Sequence, residues 1–196
     1  MPNTHTLVPA LQVPVLAVHS DGAHRFSKTT VPHIDLLAGL GVQGDAHCGR
    51  TVQHRSRVKA NPDQPNLRQV HLISASLFTH LRTLGFDVQA GLLGENITLA
   101  ASAQLDWQAL IALPQHTQLH VGQGAVLQLT GLRNPCPQIE AWQPGLLAAM
   151  LGSTPEGQLL RKTGVMAIVL QAGRVQAQDT VNIILPSAPH HPMERV

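Results

Sequence analysis

The sequence predicts a mainly β, α+β architecture: a mixed β-barrel with a few peripheral helices. Three observations lead there. Short apolar runs rich in Val, Ile and Leu recur along the chain and end at Gly, Asp, Asn or Pro. Few stretches show the spacing of an amphipathic helix. The apolar runs do not alternate regularly with helices, which disfavours a doubly wound parallel sheet. With 196 residues, 43% hydrophobic and 12% charged, the chain can bury one core. A single domain is expected over residues 13–185. Residues 186–196, with three prolines and paired histidines, are expected to form a disordered tail.

Taken in order, Val13 to Val18 is an apolar run with Pro14 near its start, which marks an edge strand. A polar stretch from His19 to Pro32 turns at Asp21-Gly22. Gly39 to Arg50 contains four glycines, the mark of tight turns and close backbone approach, but matches no dinucleotide or phosphate-loop spacing. Residues 50–68 read as a basic loop with Arg50, Arg55, Arg57, Lys59 and Arg68 against the single acid Asp63. That loop is either a solvated face or a rim for an anionic ligand. Gln69 to Ile73 is a strand. Ser74 suits the N-cap of a helix with Leu77, Phe78, Leu81 and Leu84 on one face, closed by Gly85. Gly91 to Leu99 is a glycine turn presenting Glu95 and Asn96 before a strand. Leu110 to Gly124 suggests strand, turn and strand, and Ala125 to Gly131 another strand. Ile139 to Leu151 is helical, divided at Pro144-Gly145. Leu159 to Lys162 suggests a helical turn, and Val165 to Gln171 and Thr180 to Leu185 are the last strands.

Composition narrows the function. Three Phe, two Trp and no Tyr argue against a base-stacking surface, and a net charge of +2 is small for a nucleic-acid binder. Two cysteines, Cys48 and Cys136, imply no disulfide framework. Met1 to Leu7 lacks the features of a signal peptide, and no apolar run approaches the roughly 20 residues of a membrane span. A cytoplasmic protein without nucleic-acid or membrane partners is expected, and a homodimer stays open.

The stretch most suggestive of chemistry is Arg133-Asn134-Pro135-Cys136-Pro137. Prolines on either side pin the backbone of the thiol, and an arginine nearby favours thiolate or holds an anion beside it. A buried, inert cysteine is the competing reading, and the motif by itself leaves both open. Asp45, His47 and Cys48 offer metal-ligand chemistry, but no further Cys or His pair completes a closed zinc site.

Taken together and in order, these segments resemble the MOSC domain family, named for the C-terminal domain of molybdenum-cofactor sulfurases. The matching pieces include Gly41-Val42-Gln43-Gly44-Asp45-Ala46-His47, Arg68 to Ile73 and Gly91 to Thr98. They continue with Leu119-His120-Val121-Gly122, Leu127 to Cys136, Lys162 to Ala167 and Ala177 to Val181. The layout is similar to the small, stand-alone bacterial members. Two positions depart from the family pattern: Ala46, where relatives often carry a basic residue, and Gln178-Asp179, where they tend to have Gly-Asp.

The resemblance implies a β-barrel with peripheral helices and a cysteine, here Cys136, that ligates molybdenum in the molybdopterin cofactor or carries sulfur. It further implies an oxidoreductase that reduces N-hydroxylated small molecules with electrons from a redox protein. The alternatives are a non-catalytic cofactor carrier and a persulfide carrier. Arg50, Arg68 and Arg133 are the candidates to grip the cofactor phosphate. Glu95, Asn96 and Asn134 are further cofactor contacts, and His47 or Glu95 would deliver protons. Pyridoxal phosphate is not expected, since Lys28, Lys59 and Lys162 lie in no convincing pocket motif.

Overall fold

The computed structural model describes residues 11–196, so the Met1 to Leu7 segment lies outside the described residues. In chain order the elements begin with β1 (Leu11–Ser20), β2 (Thr29–Val31), β3 (His33–Leu37), β4 (Gly41–Val42), α1 (Arg55–Ala60) and β5 (Val70–Ser74). Next come α2 (Ser76–Thr83), β6 (Ile97–Leu99), α3 (Trp107–Ala112), β7 (Gln118–Val121), β8 (Ala125–Leu132), α4 (Pro137–Trp142) and α5 (Leu146–Ala149). The chain ends with β9 (Leu151–Ser153), β10 (Leu159–Arg161), β11 (Val165–Gln171), β12 (Gly173–Gln176) and β13 (Thr180–Ile184).

Seven strands in the order β13-β7-β8-β11-β5-β6-β1 close into a mixed barrel through the pairing of β1 with β13. Alternation sets which side chains point inward. On β7 and β8, Leu119, Val121, Ala125, Leu127 and Leu129 are buried while Gln118, His120, Val126 and Gln128 between them are only half-buried; the alternation ends at Thr130 and Gly131, which are buried too. The pair β5–β6 is parallel, with Leu72 opposite Ile97. A parallel pair needs a crossover connection, which α2 and the glycine turn before β6 supply. All of β5 is buried, because its outer face is covered as well as its inner one. A small sheet, β12-β3-β4, and the hairpin β9–β10 lie outside the barrel.

Several expectations need correction. β1 is not an edge strand: it pairs with β13, β6 and β2. Pro14 is tolerated because its carbonyl still accepts from Ala100 N at 2.9 Å and a bulge follows between Val15 and Ala17. Residues 107–112 form α3 rather than a strand, since Asp106 caps the helix by accepting from Ala109 N at 2.7 Å. Leu159–Arg161 is a strand paired with Leu151–Ser153, not a helical turn. α2 starts at Ser76; the hydroxyl of Ser74 meets that of Ser76 at 2.9 Å instead of capping. Leu84 is exposed. Within the basic segment, residues 55–60 form a helix with no buried side chain.

The last residues are ordered rather than disordered. Gln115 N donates to His191 O at 2.9 Å, Leu132 N to Glu194 O at 2.7 Å and Val196 N to Leu132 O at 3.2 Å. Met193 is buried in the core. Three prolines forbid a helix here, but an extended strap along β8 needs only these bonds and one apolar anchor.

Candidate functional site

β8 delivers the chain to the site. Arg133 N donates to Gly164 O at 3.1 Å, and Thr163 Oγ1 donates to Arg133 O at 2.5 Å, so the loop after β8 is tied to the start of β11. Cys136 follows in extended conformation (φ −120, ψ 162) as the N-cap of α4, with Pro137 opening the helix. The thiol is half-buried, with its Sγ 3.6 Å from Gln138 Oε1. It lies on the wall of two cavities, of about 440 and about 580 Å³. Arg68, Arg133 and His54 also line both.

The first cavity combines basic groups with an apolar wall of Phe26, Pro137 and Met166. Arg133 reaches it from below. Its Nη1 donates to Leu93 O and, at 3.1 Å, to His71 Nδ1. His71 Nδ1 is therefore an acceptor, and Nε2 carries the proton donated to Thr163 O at 2.7 Å. Burial, and then the Arg133 charge, hold the imidazole well below its ordinary pKa, so it is neutral.

Beside it lies a charged network that the wall hides. Asp45 Oδ2 accepts from Lys28 Nζ at 2.6 Å and Asn96 Nδ2 at 3.0 Å, while Oδ1 accepts from His47 N at 2.9 Å and His47 Nδ1 at 3.2 Å. Burial pushes this carboxyl up, but the hydrogen bonds from His47 and the Lys28 charge outweigh it and hold it well below the ordinary carboxylate range. Engaging Nδ1 leaves His47 Nε2 free for other partners. The ring packs 4.3 Å from His54 and 5.3 Å from His24, centroid to centroid. Burial lowers the pKa of His47 against the opposing pull of Asp45.

Positive charge gathers around Cys136 without an Asp or Glu partner. Arg68 Nη1 donates to Val196 O at 3.1 Å, but its buried Nε has no hydrogen-bond partner. Burial, then Arg133 and Arg57, lower the Arg68 pKa to about 10. Burial, then the charges of Arg68, His47, Arg133 and Arg57, lower the His54 pKa to about 2. No ion pair with Asp or Glu forms at Arg57, Arg68, Arg133 or Arg195 among the described residues.

Of the residues singled out from the sequence, Cys136, His47, Arg68, Asn96 and Arg133 meet at the first cavity. Asn134 lines the second, where its Oδ1 accepts from Arg161 Nε at 2.9 Å. Arg50 is exposed and lines neither cavity. Glu95 is fully buried behind the wall, where Oε1 accepts from Gly91 N at 2.6 Å and Thr98 Oγ1 at 3.1 Å. Burial raises its pKa, and Oε2 has no partner. Gly91, at φ +87, explains the glycine turn: a Cβ there would sit 2.6 Å from Lys28 O. Sequence reasoning missed Lys28, His24, His54 and Arg195 as lining groups; Lys28 sits in a polar stretch with no local pattern to mark it. Among the described residues no three His, Cys, Asp or Glu side chains cluster to hold a metal ion.

Solved structures with this fold include the YUAD protein from Bacillus subtilis, at TM-score 0.72 and 19% identity, covering 90% of this chain and 98% of that one. YiiM from Escherichia coli aligns at TM-score 0.58 and 16% identity over 92% of this chain and 73% of that one. YiiM from Geobacillus stearothermophilus gives 0.52 and 16% over 89% and 73%. No curated protein sequence matches the chain. The family profile described as the MOSC domain matches residues 45–182, which include Asp45 and His47, the β5 histidine, the glycine turn and the Cys136 loop. The chain belongs to the MOSC domain family.

Proposed function

We propose that this protein binds the molybdenum cofactor in the first cavity and acts as an oxidoreductase on N-hydroxylated compounds. The observation that carries the reading is the half-buried Cys136 thiol set among Arg68, Arg133 and Lys28 on one cavity wall. A thiolate is a soft, strongly donating ligand, and the orphaned Arg68 Nε is a donor in need of an anion. These groups fit a phosphorylated pterin whose metal accepts one protein sulfur. Arg68 and Arg133 would grip its phosphate, and Phe26 and Met166 would cover its ring and exclude water. When bound, the metal supplies the two-electron chemistry that takes oxygen from the substrate.

The remaining steps belong to this chain. His47 takes up and passes on a proton at Nε2, the nitrogen that Asp45 leaves free, and Asp45 stabilises the imidazolium formed in transit. Asn96, with both side-chain ends engaged, fixes Asp45 and the start of β5 in register. Glu95 acts only through the turn it braces. A redox protein is the proposed electron source. The half-exposure of the thiol favours a second reading, a persulfide carrier, because a relay thiol must be reached by its partner.

The test is molybdenum and pterin content per chain for wild type and Cys136→Ser, purified from a cofactor-replete host. Near-stoichiometric molybdenum that is lost in the variant supports ligation. Equal pterin and molybdenum in both, with the same number of molybdenum–sulfur contacts, means the thiol is not the ligand. Neither pterin nor molybdenum, with cyanide-labile sulfur on Cys136, replaces the proposal with the carrier.

A further inference from the structure

The second cavity differs from the first in what it can hold. Four guanidinium groups, Arg57, Arg68, Arg133 and Arg195, line it, together with the amides of Gln64 and Asn134 and no Asp or Glu side chain; Val196 O, also on the lining, accepts from Arg68 Nη1 at 3.1 Å. Arg57, Arg68 and Arg133 are half-buried, Arg195 is exposed, and none of the four is paired with Asp or Glu among the described residues, so the cavity carries a positive field that favours an anion. Its volume of about 580 Å³ is far more than a lone anion needs and falls in the range of small-molecule pockets. One side is apolar, formed by Val52, Pro65 and Leu67. The tail closes the other side through Arg195 and Val196, held in place by the bonds to β8.

The geometry points to this cavity as a binding site for an organic phosphomonoester, separate from the cofactor and facing the same thiol. Arg57 and Arg195 hold the phosphate, Arg68 is shared with the first cavity, and the apolar side covers the organic part. A dianion with three terminal oxygens matches several guanidinium forks better than a carboxylate does. Assigning the phosphate to the substrate rests on the reading above that the first cavity takes the cofactor.

The experiment is calorimetric titration of the full chain with phenyl phosphate, using benzoate, phenol and inorganic phosphate as comparators. Phenyl phosphate should bind more tightly than all three. Arg57→Gln and Arg195→Gln, which remove one charged hydrogen-bonding group each, should each weaken it about tenfold or more. Arg174→Gln, at the distant pair with Asp35, should leave it unchanged. Molybdenum and pterin content is measured on the same variants and should not change. Absence of phenyl phosphate binding overturns the proposal, as does equal binding of benzoate or inorganic phosphate. Insensitivity to both arginine substitutions does the same. Loss of pterin together with phosphate binding in Arg57→Gln and Arg195→Gln assigns the cavity to the cofactor's own phosphate; that overturns the separate site and leaves the cofactor reading intact. Arginine-dependent phosphate binding in a chain that never retains pterin keeps the phosphomonoester site and removes the cofactor reading.

Discussion

Asp45→Asn is the most informative single change outside the thiol. The carboxylate and the Lys28 ammonium are 2.6 Å apart, with side chains 2% and 4% exposed. The isosteric amide keeps the volume but removes the charge that offsets Lys28. It also turns a donor toward donors in either orientation: Lys28 Nζ and Asn96 Nδ2 on one side, His47 N on the other. Breaking a buried pair by removing one partner costs about 3–5 kcal/mol, a large share of the roughly 5–15 kcal/mol that holds a domain together. Burial already depresses the Lys28 pKa with Asp45 opposing it, so without Asp45 it falls further. A lysine depressed in the folded state gives stability that rises with pH up to its unfolded value near 10.4. The deficit of the variant should therefore narrow between pH 7 and 9.5. Adding Lys28→Met should restore most of the loss. Denaturant unfolding at both pH values measures this. A variant within about 1 kcal/mol of wild type, or a double variant no better than the single one, would refute the reasoning.

Three other outcomes follow from the same structure. His19 is buried, with burial and then Lys28 lowering its pKa to about 4, so the folded state takes up fewer protons than the unfolded one below about 6.5. Stability is full above that value and should fall by about 3 kcal/mol from this group as pH drops toward 4. His19→Asn should flatten the slope, and an unchanged slope in equilibrium unfolding would contradict the assignment. Gln178 sits at φ +72 in the turn before β13, the position where relatives tend to have glycine. Gln178→Gly should stabilise by about 0.5–1 kcal/mol, the left-handed penalty less the entropy of glycine, and destabilisation would argue against the strained turn. Met193→Ala should cost about 2–3 kcal/mol if the tail is packed as described, and under 1 kcal/mol if it is not.

The barrel was legible because alternation and apolar runs survive in the sequence: Val165 to Gln171 and Ala125 to Gly131 read directly as strands, the second running one residue further in the structure. The misreadings share a cause. Asp106, the cap that starts α3, follows a turn-rich stretch, and the apolar residues after it suit helix or strand alike. Leu159–Arg161 becomes a strand only through its partner Leu151–Ser153, a pairing no local pattern announces. The tail is fixed by one methionine and backbone bonds to β8, both long-range. At the site, motif residues carried the outline, since Cys136, Arg68, Arg133 and His47 converge. Arg50, equally basic, points elsewhere, and Lys28 arrives from a separate polar stretch because Asp45 holds it. Charge composition locates a basic segment; only folding decides which of its arginines face the cavity.

The central claim is that Cys136 supplies a sulfur ligand to molybdenum at this wall. X-ray absorption at the molybdenum edge, wild type against Cys136→Ser, each reconstituted with excess cofactor, tests it most directly. The account predicts one molybdenum–sulfur contact fewer in the variant, replaced by oxygen. An identical sulfur count in both proteins would contradict it.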